Sequence, residues 1–187
     1  MRENFELELR SNGGVARIVR DSPLRGQADR SVARGDTVRI LPGVVATTGA
    51  ARRVTTMIQA LKLWHRGATL VGMAALVLLG LKNPVTQRCW DYTGIQAIEA
   101  FSPTRRLRRP RIWVHRWHVP HYFTIEEEGI RVAIPEVSVI ILAIQGQWDW
   151  VCQALRQRLV TPASCRAVRK ALTGRYSKAE VDRALAD

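Results

Sequence analysis

The sequence lacks any apolar run long enough to cross a bilayer as a helix. Its longest, residues 67–81, is roughly 15 residues where about 20 are needed, and it reads as a buried helix. Cysteine is scarce: Cys89, Cys152 and Cys165 are odd in number and show no CxxC spacing. That argues against a disulfide scaffold and fits a reducing, cytoplasmic setting. The opening MRENFELELR has no apolar segment of the kind a secretory signal needs. There is no Walker loop, no GxSxG, no HExxH, and no Asp followed by a Glu-x-Lys triplet. The expectation is therefore a binding protein, not an enzyme, with no cofactor and no metal. Lysine is also sparse, at Lys62, Lys82, Lys170 and Lys178 only.

What the chain has instead is arginine. Its 187 residues carry 29 Lys and Arg against 16 Asp and Glu, a formal charge of +13. A balance this basic points to a polyanionic partner, because each cation placed at a phosphate releases condensed counterions. Arginine in particular presents a planar fork that matches phosphate oxygens and the guanine edge. A GC-rich coding bias is the alternative source of arginine, though it accounts less well for the net charge.

The pattern divides the chain into residues 1–48 and 49–187. In the first part, Glu3 to Ser11 reads as a helix stopped by Asn12-Gly13-Gly14. Val15 to Asp21 reads as a second short helix, with Val15, Ile18 and Val19 on one face. Ser22-Pro23 suits an N-cap and a first helical position, opening a third helix to Arg34 that ends at Gly35. TVRILPGVVAT then reads as two strands around a Pro42-Gly43 turn. Three helices and a hairpin is the element order of a winged helix-turn-helix. The second part reads as an α+β body: a helix over Arg52–Trp64, an apolar helix from Leu70 to Leu79, strands between residues 96 and 134, and helices from Pro135, Trp148, Thr161-Pro162 and Ser177. The last opens with a Ser177/Glu180 capping box.

A recognition helix must be polar on its outer face to enter the major groove. Placing Leu24, Ala28, Val32 and, as an option, Ser31 inward leaves Arg25, Gln27, Arg30 and Arg34 outward; Ser22 and Ser31 are counted with them as candidate DNA contacts. Arg reads guanine and Gln reads adenine, so these are fit types for base contact. Arg39, near the hairpin turn, and Arg17 and Arg20, before the helix, are candidates for the DNA backbone. A second candidate contact is PTRRLRRPR, residues 103–111, with Arg105, Arg106, Arg108 and Arg109. The bland alternative for both is a solvated charged face.

The run GGVARIVRDSPLRGQADRSVARGDTVRILPGVVATTG resembles the N-terminal winged helix of AbiEi-type (type IV toxin-antitoxin) antitoxins and related actinobacterial regulators. The likeness continues in LWHRGATLVGMAALVLLGL and in RIWVHRWHVPHYFTIEEEGIRVAIPEVSVIILA. The chain departs from that pattern at Gly72, often Ser in the family, and in IPEVSV. The resemblance implies a repressor of its own toxin-antitoxin operon, with double-stranded operator DNA and a nucleotidyltransferase-like toxin as partners. The short apolar run adds the expectation of no membrane, and a monomer or homodimer is expected. The rival expectations are direct neutralisation of the toxin by the body, a prophage-type repressor, and an RNA-binding or nuclease-derived protein using the 105–111 segment.

Other chemistry-bearing residues read as structural. His115, His118 and His121 flank a strand, where their rings diverge. Glu126–Glu128 suit a hairpin tip. Cys152 and Cys165 fall on apolar helix faces as core thiols. Trp113, Trp117, Trp148 and Trp150 read as core, with Trp113 and Trp117 the two nearest the arginine run.

Overall fold

The computed structural model describes residues 4–172, so the helix expected from Ser177 lies outside the described residues. The protein is α+β. Helix α1 (Phe5–Ser11) is capped by Asn4, whose side chain accepts from the Glu6 N–H. Gly13 and Gly14, at φ of 64° and 88°, reverse the chain into strand β1 (Val15–Arg17). Here the structure corrects the expectation of a second helix. Val15, Ile18 and Val19 have helical spacing, but they are β-branched and follow a glycine turn, and Val15 to Arg17 pair with Ala46 to Val44. Val15 and Ala16 are both buried, one on each face of a sheet, while Val19 is 51% exposed.

Helix α2 (Arg25–Ala33) begins later than Ser22-Pro23 implies. Its N-cap is Leu24, and the Ser22 hydroxyl accepts from the Leu24 N–H in the turn before it. Strands β2 (Thr37–Leu41) and β3 (Val44–Thr47) form the expected hairpin. With β1 they make a three-stranded antiparallel sheet in the order β1-β3-β2. One face of it packs Ala16, Ile18 and Val45 on Phe5, Leu9, Leu24 and Ala28 of the helices. The other face offers Val15, Leu41, Val44 and Ala46 to helix α3 (Val54–Trp64).

Helix α3 is the joint of the molecule. Its far side belongs to the same apolar core as Leu70, Ile98 and Val114 of a second, six-stranded sheet. That sheet comprises β4 (Thr69–Val71), β5 (Ile98–Ser102), β6 (Leu107–Arg109), β7 (Ile112–Arg116), β8 (Thr124–Glu127) and β9 (Ile130–Ala133). Its order is β6-β7-β5-β4-β9-β8, parallel between β4 and β9 and between β5 and β7. Gly72, at φ 71°, turns β4 directly into helix α4 (Gly72–Leu78), so the apolar run expected as one helix is a strand followed by a shorter helix.

Helices α5 (Pro135–Ile144), α6 (Trp148–Arg156) and α7 (Pro162–Ala171) complete the body. Helix α7 opens with Thr161 and Pro162 as expected, and Thr161 and Ser164 form a reciprocal capping box. Cys165 on α7 is buried, and burial pushes its thiol up to about 11. Cys152 on α6 is exposed, not a core thiol. Among the described residues no helix is long and apolar enough to cross a membrane.

Candidate nucleic-acid interface

Burial along α2 follows from its period. Leu24, Ala28 and Ser31 point to the sheet, and Val32 is half-buried beside them. The positions opposite are Gly26, Arg30 and Ala33, so the crest of the helix is small except at Arg30. Arg25 and Asp29 form one flank, Gln27 and Arg34 the other. Ser31 does not share the outer face. It is buried, and its hydroxyl accepts from the Thr37 hydroxyl at 3.1 Å.

The flanks are tied down differently. Arg39 on β2 pairs with Asp29, and Asp29 also lies 3.9 Å from Arg25 one turn earlier. Arg25 further donates to the Arg20 carbonyl at 3.2 Å. On the other flank Gln27 accepts from the Phe5 N–H, and Arg34 pairs with Asp36 at 2.8 Å. Gln27, Arg30 and Arg34 line a shallow groove shared with Phe5 and Glu6 of α1. Arg20 is exposed. Arg17, also exposed, lies at the end of β1 by the hairpin tip, where the Ile18 N–H bonds the Gly43 carbonyl.

The 105–111 segment is not one patch. Strand β6 is the edge of the large sheet, and its residues alternate between faces. Leu107 and Arg109 oppose Val114 and Ile112, which face α3; Arg108 opposes Trp113, which faces away. Arg109 and Arg111 line a cleft of about 400 Å³ with Val38, Arg39 and Ile40 of the hairpin. Arg106 and Arg108 line a separate cleft on the opposite face, beside Trp113 and His115. The Arg108 guanidinium stacks over the Trp113 ring at 5.5 Å, and Arg105 stacks over Trp64 at 5.3 Å. The structure thus joins Arg109 to the hairpin's Arg39 and parts it from Arg106 and Arg108.

Sequence reasoning missed Arg111 as a member of the first cleft, Trp64 as a stacking platform, and Asp29 as the tether of Arg39. Asp29 was half legible, since it sits four residues after Arg25. The Arg39 contact needed the fold. Trp113 and Trp117 are half-buried, Trp117 edge-on to Phe101 at 4.7 Å, and Trp148 is 39% exposed while Trp150 is buried.

Electrostatically, Arg105 registers on a neighbour. His65 accepts or donates at the Ser102 hydroxyl, 3.0 Å away, and its pKa is lowered from 6.5 by burial and by the nearby charge of Arg105. His115 lies 4.0 Å from Glu99, a carboxylate held at both oxygens by Gln145 at 3.0 Å. Among the described residues no three His, Cys, Asp or Glu side chains gather to hold a metal ion. Comparison with protein-family models and with curated proteins gives no match.

Proposed function

We propose that the chain is a sequence-specific double-stranded DNA-binding protein, acting as a transcriptional repressor and not as an enzyme. In this reading residues 4–48 work as a winged helix reduced by one helix. Helix α2 enters the major groove, and the β2–β3 hairpin is the wing. The sheet order β1-β3-β2 and the position of α2 immediately before the hairpin support it. The observation that carries it is the shared cleft of Arg39, Arg109 and Arg111. It sets Arg39 of the hairpin and Arg109 and Arg111 of the body edge around one concavity, so that cations of both parts can meet the same duplex backbone.

The autoregulating antitoxin role is the biological form that the resemblance to AbiEi-type regulators implies. It remains part of the proposal, together with a nucleotidyltransferase-like toxin as partner. Selection of bound fragments from random duplexes, followed by titration at several salt concentrations, tests the reading. A recurrent site and a steep fall of affinity with salt are expected. Equal binding to every duplex would remove the repressor role, and a salt slope near zero would remove the phosphate contacts.

A further inference from the structure

On the other flank of α3, four cations from three separate stretches of chain line one cleft of about 430 Å³: Arg17 of β1, Lys62 and Arg66 at the end of α3, and Arg131 of β9. One carboxylate, Glu126, faces them from β8, directly across from Arg131 in the strand register. None of the four cations forms a salt bridge within the described residues. The C-terminal end of the α3 dipole favours Lys62 and Arg66, and Glu126 offsets Arg131 across the strands. Neither effect accounts for Arg17, which a different sheet brings to the same space. The cleft keeps an excess of positive charge that the protein does not neutralise.

Lys62 is held in place. Its ammonium donates to the Glu128 carbonyl at 2.8 Å, directly over Gly129. A Cβ at residue 129 would lie 2.7 Å from the Lys62 Nζ, so a bare turn at φ 71° is what admits the ammonium. A cation positioned this way among arginine forks matches a compact, multiply charged oxyanion better than a single carboxylate. A concave site of this size also falls in the range of roughly 300–1,000 Å³ typical of small-ligand pockets.

We propose that this cleft binds a phosphate group, seated between Arg17 of the small sheet and Lys62, Arg66 and Arg131 of the body. Its two sources are the backbone of a bound nucleic acid, reached past the hairpin tip next to Arg17, and a free phosphorylated small molecule. The site does not rest on the repressor reading, because the phosphate chemistry is tested without DNA.

The probe is inorganic triphosphate, followed by phosphorus NMR on the full chain at constant ionic strength. Lys62→Met with Arg66→Gln is expected to weaken triphosphate binding about tenfold, the loss of one or two charge-assisted contacts. Gly129→Ala, which keeps every charge but crowds the ammonium, should weaken it in the same direction while circular dichroism confirms the fold. Arg106→Ser with Arg108→Ser, on the far face, should leave it unchanged. In a second arm, a duplex is titrated against the intact chain and Lys62→Met. Weaker duplex binding by the variant, with displacement by triphosphate, identifies the nucleic-acid backbone as the source; unchanged duplex binding identifies a free phosphorylated ligand. A chain that binds triphosphate but no duplex would end the repressor reading and leave this site standing. Triphosphate affinity equal in the intact chain and in both cleft variants would overturn it.

Discussion

The arginines beside α2 and those near the large-sheet edge are anchored in opposite ways. In residues 4–48 carboxylates hold them: Asp29 ties Arg25 and Arg39, and Asp36 ties Arg34. In the body tryptophan rings hold them: Trp64 lies under Arg105 and Trp113 under Arg108. A carboxylate positions a guanidinium but cancels its charge. An aromatic face positions it and leaves the charge whole. A polyanion must therefore displace Asp29 to take full hold of Arg39, whereas the stacked arginines keep their charge without any such step. Exposed ion pairs are worth only about 0.2–1 kcal/mol, so that displacement is cheap. The arginines of the small sheet thus carry their charge conditionally, while the stacked ones of the body carry it whether or not a polyanion reaches their face.

The largest effect expected comes from dividing the body arginines by face. Arg109→Ser with Arg111→Ser should shorten the footprint and flatten the log–log salt slope by about 0.9 per lost phosphate contact. Arg106→Ser with Arg108→Ser, across the edge strand, should change neither. Equal effects from both pairs in a parallel titration would mean that the faces of β6 do not matter.

Next in size is base readout. Arg25→Ala or Gln27→Ala should cost roughly 1–3 kcal/mol on a preferred site and little on random duplex. Arg39→Ala should weaken all duplexes alike. If the ratio of preferred to random binding survives both α2 substitutions, α2 is not the reading helix.

The tether itself gives a smaller effect of opposite sign. Asp29→Asn frees Arg39 and Arg25 and removes a negative charge from the interface. Duplex affinity should rise severalfold, in line with an exposed pair of about 0.2–1 kcal/mol. Fluorescence anisotropy measures this, and a loss of affinity would show that Asp29 positions Arg39 more than it cancels it.

The smallest effect reports on the uncancelled charge of the body. His65 titrates below 6.5 through burial and the Arg105 charge. Arg105→Ser should raise its pKa without taking it past that value, since burial persists. Because the lowered pKa belongs to the folded state, this histidine costs stability only as pH falls below about 6.5, where the unfolded chain takes up the proton first. Proton NMR titration of the ring in both chains follows it; an unmoved pKa would show that Arg105 is neutralised where it stands.

Much of the fold was legible because strong local signals governed it. The Pro42-Gly43 turn between β-branched runs forecast the β2–β3 hairpin, and Thr161-Pro162 forecast the start of α7. Where local signals were ambiguous, tertiary pairing decided. Val15, Ile18 and Val19 carried a helical spacing, but β3 recruited Val15–Arg17 as a strand. Leu70 read as the start of a helix, but β5 and β9 took Thr69–Val71 into the sheet. The outward arginines of α2 and the inward option for Ser31 were readable from a 3.6-residue period, whereas Ser31's partner, the Thr37 hydroxyl, was not, because it comes from another element.

By itself the sequence determined the α+β class, the strong positive charge, and the arginine types offered to a partner, since composition and short-range periodicity carry all three. Only the tertiary structure decided how those arginines are grouped. Residues 105–111 are consecutive, yet the pleat of β6 sends Arg109 to Arg39 and Arg108 to Trp113. Arg17, Lys62 and Arg131 lie far apart in the chain, yet α3, wedged between two sheets, brings them to one cleft. Charge is a property of residues, while a charged site is a property of distances, and those distances are set by the packing of both sheets on one helix.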